Sequence, residues 1–294
     1  GDMFGVWAAP RDGAVEKIFP LEGSTSMLLF PPFWLWKDDL LLGYGDTLWL
    51  LSIQSGEVVR TFSLPHPFTT KLSGLGDAFV APDGKTFVGK NDPLVPDGTT
   101  PNLTYFAYDL ESGDSTTILQ DTDIGHLHPM AGWDDVLFTA HSPDRSIGTI
   151  APDELYRIPI AGGPAEKLPI EKEMQMSVVG ADDAFVYLFG MEVPPDPAAR
   201  PAGLYRVPHE GGDPERLVAT GVDAVPMRDF VDLGDVILYR SMDDVYRVEK
   251  ASGASSRIVR SPCLARMTVA DDALFLALLP PDEDVVTIVR VPYR

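Results

Sequence analysis

The chain has 294 residues, with 44 acidic against 23 basic side chains and a formal net charge of −21. That charge excludes a nucleic-acid partner, because a polyanion repels it and no basic stretch offsets it. Disorder is excluded by 45% hydrophobic and 10% aromatic residues, and the single cysteine, Cys263, excludes a disulfide framework or a multi-cysteine metal site.

The remaining composition points to strands and turns. There are 26 Gly, 27 Pro, and 31 Asp against 13 Glu, whereas helices favour Glu and exclude interior Gly and Pro. Residues 1–10 lack both a basic stretch and an apolar stretch, so no signal peptide is expected there. Gly5 to Pro10 has the pattern of a strand, and Ala14 to Phe19 that of a second one. The longest apolar run, Met27 to Trp36, is interrupted by Pro31 and Pro32. It is about half the ~20 residues a membrane helix needs, so no membrane span is expected.

From Lys37 onward two phrases alternate. The first is an acidic turn followed by an apolar strand, as in Lys37-Asp-Asp-Leu-Leu-Leu, Trp133-Asp-Asp-Val-Leu-Phe, Ala181-Asp-Asp-Ala-Phe-Val and Ala270-Asp-Asp-Ala-Leu-Phe. Its markers Asp39, Asp83, Asp135, Asp183, Asp235 and Asp272 are separated by 44, 52, 48, 52 and 37 residues. The second is a hairpin. Leu155-Tyr-Arg-Ile-Pro-Ile-Ala-Gly-Gly-Pro-Ala-Glu-Lys-Leu168 aligns with the segments starting at Leu204 and Val245, and more loosely with those at Leu48 and Tyr105. Glycine suits such a turn because a hairpin loop places residues at positive φ.

Each repeat therefore reads as four antiparallel strands, and its length matches a propeller blade of roughly 40–50 residues. The expected fold is all-β: a six-bladed β-propeller of four-stranded antiparallel blades forming one domain over 1–294. The last repeat ends on a third strand, Thr287 to Arg294, and the strand at Ala14 to Phe19 is expected to complete it, since an open ring leaves exposed edges. The alternative is seven blades with the first truncated, because Gly5 to Pro10 resembles another third strand.

The phrase Ala-Asp-Asp-Ala-Phe-Val-Tyr, followed by Leu-Tyr-Arg-Val-Pro-x-x-Gly-Gly-x-Pro-x-x-Leu, resembles the blade repeat of TolB-like and NHL-like bacterial propellers. The resemblance runs from Asp38 to Arg294, is weaker in the first two repeats, and carries no catalytic signature. It implies export to the periplasm or the exterior.

The sequence leaves open whether the protein is an enzyme. No nucleophile elbow, His-Glu-x-x-His, phosphate loop or dinucleotide glycine pattern occurs. The Asp-Asp pairs recur at one blade position, which favours turn residues that accept backbone N–H bonds over paired catalytic carboxylates. The repeated Arg157, Arg206 and Arg247, with Tyr156, Tyr205 and Tyr246 beside them, are expected to join neighbouring blades. Phe30, Phe33, Trp34, Trp36 and Trp49 read as core rather than as a sugar platform.

Blade geometry sends the two kinds of connection to opposite faces. The acidic and glycine turns share one face. The other carries the blade-to-blade connections and three long loops: Asn91 to Asn102, His141 to Asp153 and Glu192 to Gly203. Long loops on a rigid scaffold are where binding sites concentrate. The expected ligand-binding residues there are His66, His126, His128, Asp223, Arg228 and Arg266.

Two imidazoles spaced like His126 and His128 project to the same side of an extended strand, so with Asp123 they form a candidate metal set. Against this stands the ordinary reading of hydrogen-bonded surface histidines, because two imidazoles fall short of the usual three or four ligands. Arg228 and Arg266 suit a carboxylate or phosphate, or equally an ion pair with a neighbouring Asp. Two functions follow. One is a monomeric propeller, without cofactor, that binds a protein or small-molecule ligand at the loop face. The other is a hydrolase, lactonase or lyase at the channel mouth, assisted by one divalent ion, Ca or Zn; that reading rests on fold analogy.

Overall fold

A computed structural model describes residues 5–8, 16–20, 33–37, 39–52, 54–55, 57–68, 78–81, 83–91, 103–121, 124–129, 135–141, 152–193, 202–220, 229–241, 243–261, 264–270, 273–278 and 287–291. Among these residues every regular element is a strand. Contacts divide the chain into two compact units, Gly1–Thr122 and Asp123–Arg294.

Three sheets belong to the first unit. β1 (Gly5–Ala8) pairs with β2 (Glu16–Pro20). β3 (Phe33–Trp36), β4 (Asp39–Ser52) and β5 (Val58–Phe68) form the second sheet. The third is β6 (Ala78–Val80), β7 (Thr86–Asn91), β8 (Leu103–Asp109) and β9 (Ser115–Asp121), in that order.

Four sheets belong to the second unit. The first is β10 (Ile124–Pro129), β11 (Asp135–His141), β12 (Asp153–Pro159) and β13 (Glu166–Leu168). Next come β14 (Met174–Ala181), β15 (Phe185–Glu192), β16 (Ala202–Pro208) and β17 (Glu215–Thr220). The third contains β18 (Asp229–Asp232), β19 (Val236–Ser241), β20 (Asp244–Glu249) and β21 (Ser255–Arg260). The last holds β22 (Leu264–Ala270), β23 (Ala273–Leu278) and β24 (Thr287–Val291). Among the described residues the paired strands are antiparallel neighbours in sequence, so each sheet is a meander, as the two repeated phrases predict.

Side-chain alternation builds the core between sheets. Met174, Met176 and Val178 of β14 are buried against Leu137, Leu155 and Leu168 of the preceding sheet. Leu204 and Tyr187 cluster in turn with Ile237, Tyr239 and Val248 of the following one. Each fully buried Leu contributes about 1.5–3 kcal/mol before entropy is counted. In the first unit Trp36 is buried and meets Phe62 edge-on, with ring centroids 6.1 Å apart, and its indole N–H donates to the Gly84 carbonyl of the next sheet. The core reading of Trp36 is therefore correct; Phe30 lies outside the described residues.

Glycine has a second duty in the hairpin turns. Gly253 adopts φ +68°, and a Cβ there would stand 2.6 Å from the Leu217 carbonyl oxygen of the preceding sheet. Gly211, at φ +88°, would meet the Pro169 oxygen at 2.3 Å. The turn thus needs glycine for its dihedral and for the close approach of the adjacent sheet.

Two arrangements differ from the sequence expectation. The first full repeat has three strands instead of four, because β4 runs unbroken through Gly43 to Thr47 and pairs with β3 and then with β5. No proline interrupts that stretch, so extended backbone continues where a loop was expected. The strand expected at Ala14 to Phe19 is found as β2, paired with β1, the hairpin anticipated by the seven-blade alternative. A partner nearby in sequence costs less loop-closure entropy than one at the far end of the chain.

Candidate functional site

The sheets of the second unit have two chemically distinct ends. One end holds the short turns, among them 182–184, 233–235, 209–214 and 250–254. There the aspartates act as turn residues. Asp182 Oδ1 accepts N–H bonds from Ala184 and Phe185 at 2.9 and 2.8 Å, and Asp232 Oδ1 accepts one from Gly234 at 2.9 Å. Asp83 does the same in the first unit, toward Lys85 and Thr86. The turn reading holds, and the accepting carboxylate of the Asp182-Asp183 pair is Asp182, not the marker Asp183.

The second oxygen of these aspartates does something the repeats did not announce. Lys250 Nζ donates to Asp182 Oδ2 at 2.5 Å and to Asp232 Oδ2 at 2.8 Å, joining two adjacent sheets. Tyr187 Oη donates to Asp182 Oδ2 at 2.5 Å, and the Lys250 ammonium lies 5.2 Å from the Tyr187 ring centroid. Arg206 pairs with Glu215 at 2.7 Å and donates to the Lys250 carbonyl at 3.0 Å.

Electrostatics make this cluster a clamp. Burial opposes ionisation of Asp182, but hydrogen bonds from Lys250, Tyr187 and two amides outweigh it and hold the carboxyl at about 2. Burial likewise disfavours the Lys250 cation, yet its two carboxylate partners raise its pKa above the ordinary value. The Tyr187 hydroxyl is raised by burial and by Asp182. Proton transfer near neutrality needs groups poised near 7, and these are displaced away from it. An open cleft of about 520 Å³, bordered by Phe185, Arg206, Asp235 and Glu249, adjoins the clamp.

The signal for the clamp was present in the phrase. Lys250 occupies the position held by Ile160 and His209 in the aligned copies, both buried. A lysine in a buried slot requires carboxylate partners. The expectation for the repeated arginines is met by Arg206, whereas Arg157 pairs with Glu166 and Asp135 of its own sheet and Arg247 with Glu249. Two of their tyrosine neighbours stack within the sheet, Tyr156 on Phe138 and Tyr246 on Tyr239, with centroids 5.1 and 5.2 Å apart. Tyr205 clusters with Leu137, Leu155 and Leu168 of the preceding sheet, and Tyr246 also packs against the cluster holding Tyr187 and Leu204, which meets the expectation for those two.

The opposite end of these sheets carries the long connections 142–152 and 193–201; in the first unit 92–102 joins β7 to β8. Asp123, Asp223 and Arg228 lie outside the described residues. The other expected site residues stand on strands rather than in the connections: His66 in β5, His126 and His128 in β10, and Arg266 in β22. These strands extend further toward the connections than the turn signals suggested. His128 pairs in register with Leu137, well inside the sheet, and the register is irregular between Ile124 and Leu127, the interval containing His126. The same-side argument for the two imidazoles requires unbroken alternation. Met174, the first residue of β14, is a buried core residue.

Polar contacts at this end also join neighbouring sheets. Asp153 Oδ2 accepts the Met176 N–H at 2.8 Å, and Arg240 Nη1 donates to the Leu264 carbonyl at 2.7 Å. Tyr205 Oη donates to Glu192 at 3.2 Å, and burial, with Glu192 adding to it, pushes the phenol up to about 12. Among the described residues no group of three or more His, Cys, Asp or Glu converges to hold a metal ion. None of them forms a helix long and apolar enough to cross a membrane.

No family model matches the sequence, and no curated protein matches it. Solved structures do. Oligogalacturonate lyase in complex with manganese aligns over 95% of this chain and 80% of its own, at 14% identity and a TM-score of 0.65. For oligogalacturonate lyase from Vibrio parahaemolyticus the shares are 86% and 74%, at 14% identity and a TM-score of 0.54. TolB from Acinetobacter baumannii aligns over 87% of this chain and 63% of its own, at 12% identity and a TM-score of 0.50. At these identities the likeness is one of fold. The protein is an all-β chain of the β-propeller class with a TolB-like resemblance.

Proposed function

We propose that this β-propeller is a binding protein that recognises a protein or small-molecule ligand at the end of its sheets bearing the long connections. The observation that carries this reading is the contrast between the ends. At the turn end the charged groups pair with one another, as Lys250 does with Asp182 and Asp232. The other end supports 142–152 and 193–201, the first unit has a third long connection, 92–102, and connections of this length on a rigid scaffold are where recognition concentrates. His66, His126, His128, Asp223, Arg228 and Arg266 are its proposed ligand-binding residues, and export belongs to the same proposal through the TolB-like resemblance. Alanine substitutions across the three connections are expected to weaken capture of the partner while leaving the melting temperature unchanged. Retention of the same partners by those variants would overturn the proposal.

A second reading is favoured by the likeness to oligogalacturonate lyase in complex with manganese. In it, His126, His128 and Asp123 would hold one divalent ion, which would supply Lewis-acid chemistry for a lyase or hydrolase reaction. The imidazoles fit as ligands when neutral, but β10 supplies two of them, and a third protein ligand must come from outside the described residues. Metal analysis of the purified protein, paired with melting scans with and without chelator, tests it. Absence of both bound metal and a chelator-induced shift would rule it out.

A further inference from the structure

The repeated hairpin phrase fixes a common level across the four sheets of the second unit. Leu155, Leu204, Val245 and Ile288 each stand two residues before a third-strand arginine: Arg157, Arg206, Arg247 or Arg290. In register they pair with Thr139, Phe189, Arg240 and Ala277 of the second strands. One strand further across, Phe189 pairs with Ser177, Arg240 with Asp229, and Ala277 with Arg266. In the first of these sheets, His126 falls in the irregular interval against Thr139. The first strands β10, β14, β18 and β22 neighbour one another in that order. Four strands thus bring His126, Ser177, Asp229 and Arg266 to one level.

Two further observations mark the level. Ser177 is exposed although Met176 and Val178 on either side are buried, so solvent reaches the first strand here. Behind it Thr139 and Arg240 are 3% and 5% exposed, and both are polar in an otherwise apolar layer. The Arg240 bond to the Leu264 carbonyl fastens β19 to the first strand of the next sheet beside this level. Buried polar side chains are costly unless they are satisfied, and two of the four second-strand positions at this height carry one.

We infer that Ser177, Asp229 and Arg266, with His126, form a binding belt for a small hydroxy-carboxylate. The inference rests on the binding reading above and names its ligand class. A guanidinium offers a planar fork matched to a carboxylate. The serine hydroxyl donates and accepts, and an ionised aspartate accepts from ligand hydroxyls. A phosphate dianion meets the charge of Asp229 more repulsively than a singly charged carboxylate does, so a monoanion carrying hydroxyls is favoured over phosphate.

The test is calorimetric titration of the full chain with gluconate and glucuronate, and with acetate, inorganic phosphate and glycerol as controls. A hydroxy-carboxylate is expected to bind at least about tenfold more tightly than any control, one bidentate contact being worth roughly that factor. Arg266→Gln and Ser177→Val should each weaken it about tenfold, and Arg290→Gln, at an exposed third-strand position, should not. Should Arg266→Gln fail to fold, Arg266→Lys keeps the charge, removes the fork and is expected to lose most of the affinity. Failure of both hydroxy acids to bind, or retention of affinity in both belt variants, overturns the inference. Alanine substitutions in 194–200 separate the two readings. Loss of hydroxy-acid binding in those variants but not in Ser177→Val, the belt residue outside the connection-end set, sustains the connection site and overturns the belt. The reverse result sustains the belt and counts against the connections.

Discussion

The two ends of the sheets in the second unit use the same residue types for different purposes. At the turn end, aspartate recurs from repeat to repeat, and Asp182 and Asp232 each spend one oxygen on backbone amides. At the other end and on the first strands, polar residues differ from sheet to sheet: His126, Ser177, Asp229 and Arg266 stand at one level without repeating. Repetition marks what every blade needs in order to fold, whereas departure from it marks what one site needs. Asp83, Asp109, Asp182 and Asp232 belong to the first category, so the charge of −21 is in part a by-product of turn construction.

The largest expected effect tests how tightly the long-connection end is built. Gly203 is the second residue of β16, and a Cβ there would stand 2.1 Å from the Val218 carbonyl oxygen of β17. Backbone cannot move aside as a flexible side chain does, so Gly203→Ala is expected to cost about 3 kcal/mol, read from urea unfolding midpoints. A loss below about 1 kcal/mol would mean that this end yields more readily than its register implies.

Lys250→Met asks the corresponding question of the turn end. It leaves Asp182 and Asp232 facing each other without their cation, and their side chains are 19% and 23% exposed. Breaking a fully buried pair costs roughly 3–5 kcal/mol; solvent screening at this exposure reduces the expectation to about 1.5 kcal/mol. The double variant Lys250→Met/Asp232→Asn should recover part of that loss, since an amide still accepts the Gly234 N–H. Equal stability of wild type and Lys250→Met would remove the clamp from the comparison.

The acid limb gives a smaller signature. The folded-state pKa of Asp182 is depressed to about 2 from an ordinary 3.8. Its contribution is therefore present above the unfolded value and is lost as pH falls through about 2. The stability difference between wild type and Asp182→Asn, about 1 kcal/mol after screening, should be constant from neutrality to about pH 5 and shrink between about pH 4 and 2. A difference that persists at pH 2 would assign the effect of Asp182 to turn geometry instead of charge.

Much of the architecture was legible because it is periodic. The phrase at Leu155, Leu204 and Val245 gave the hairpins, and the Asp-Asp turns gave the partners that complete each meander. The site was less legible for the same reason. Lys250 occupies a slot whose aligned occupants, Ile160 and His209, are buried, and only packing shows which carboxylates it reaches across 68 and 18 residues of sequence. The level shared by Ser177, Asp229 and Arg266 is equally hidden, because strand irregularities at Val178/Gly180 and Leu264/Arg266 change the count along the first strands. Register, not spacing, aligns them.

The smallest predicted effect sharpens the distinction within a single dipeptide. Asp182 and Asp183 are indistinguishable in the phrase, yet Asp182 is part-buried under two amides, a phenol and an ammonium, whereas Asp183 is exposed. Asp183→Asn is expected to alter stability by less than about 0.5 kcal/mol, because an exposed carboxylate in a screened environment interacts weakly. The measurement is the urea midpoint at neutral pH, set beside that of Asp182→Asn. If the two variants lose stability equally, the carboxylates act through the net charge of the turn, and the geometric account of the repeated aspartates fails. If only Asp182→Asn loses it, the second Asp of the pair serves solubility, and the recurrence of acidic doublets along the chain reflects two separate selections on adjacent positions.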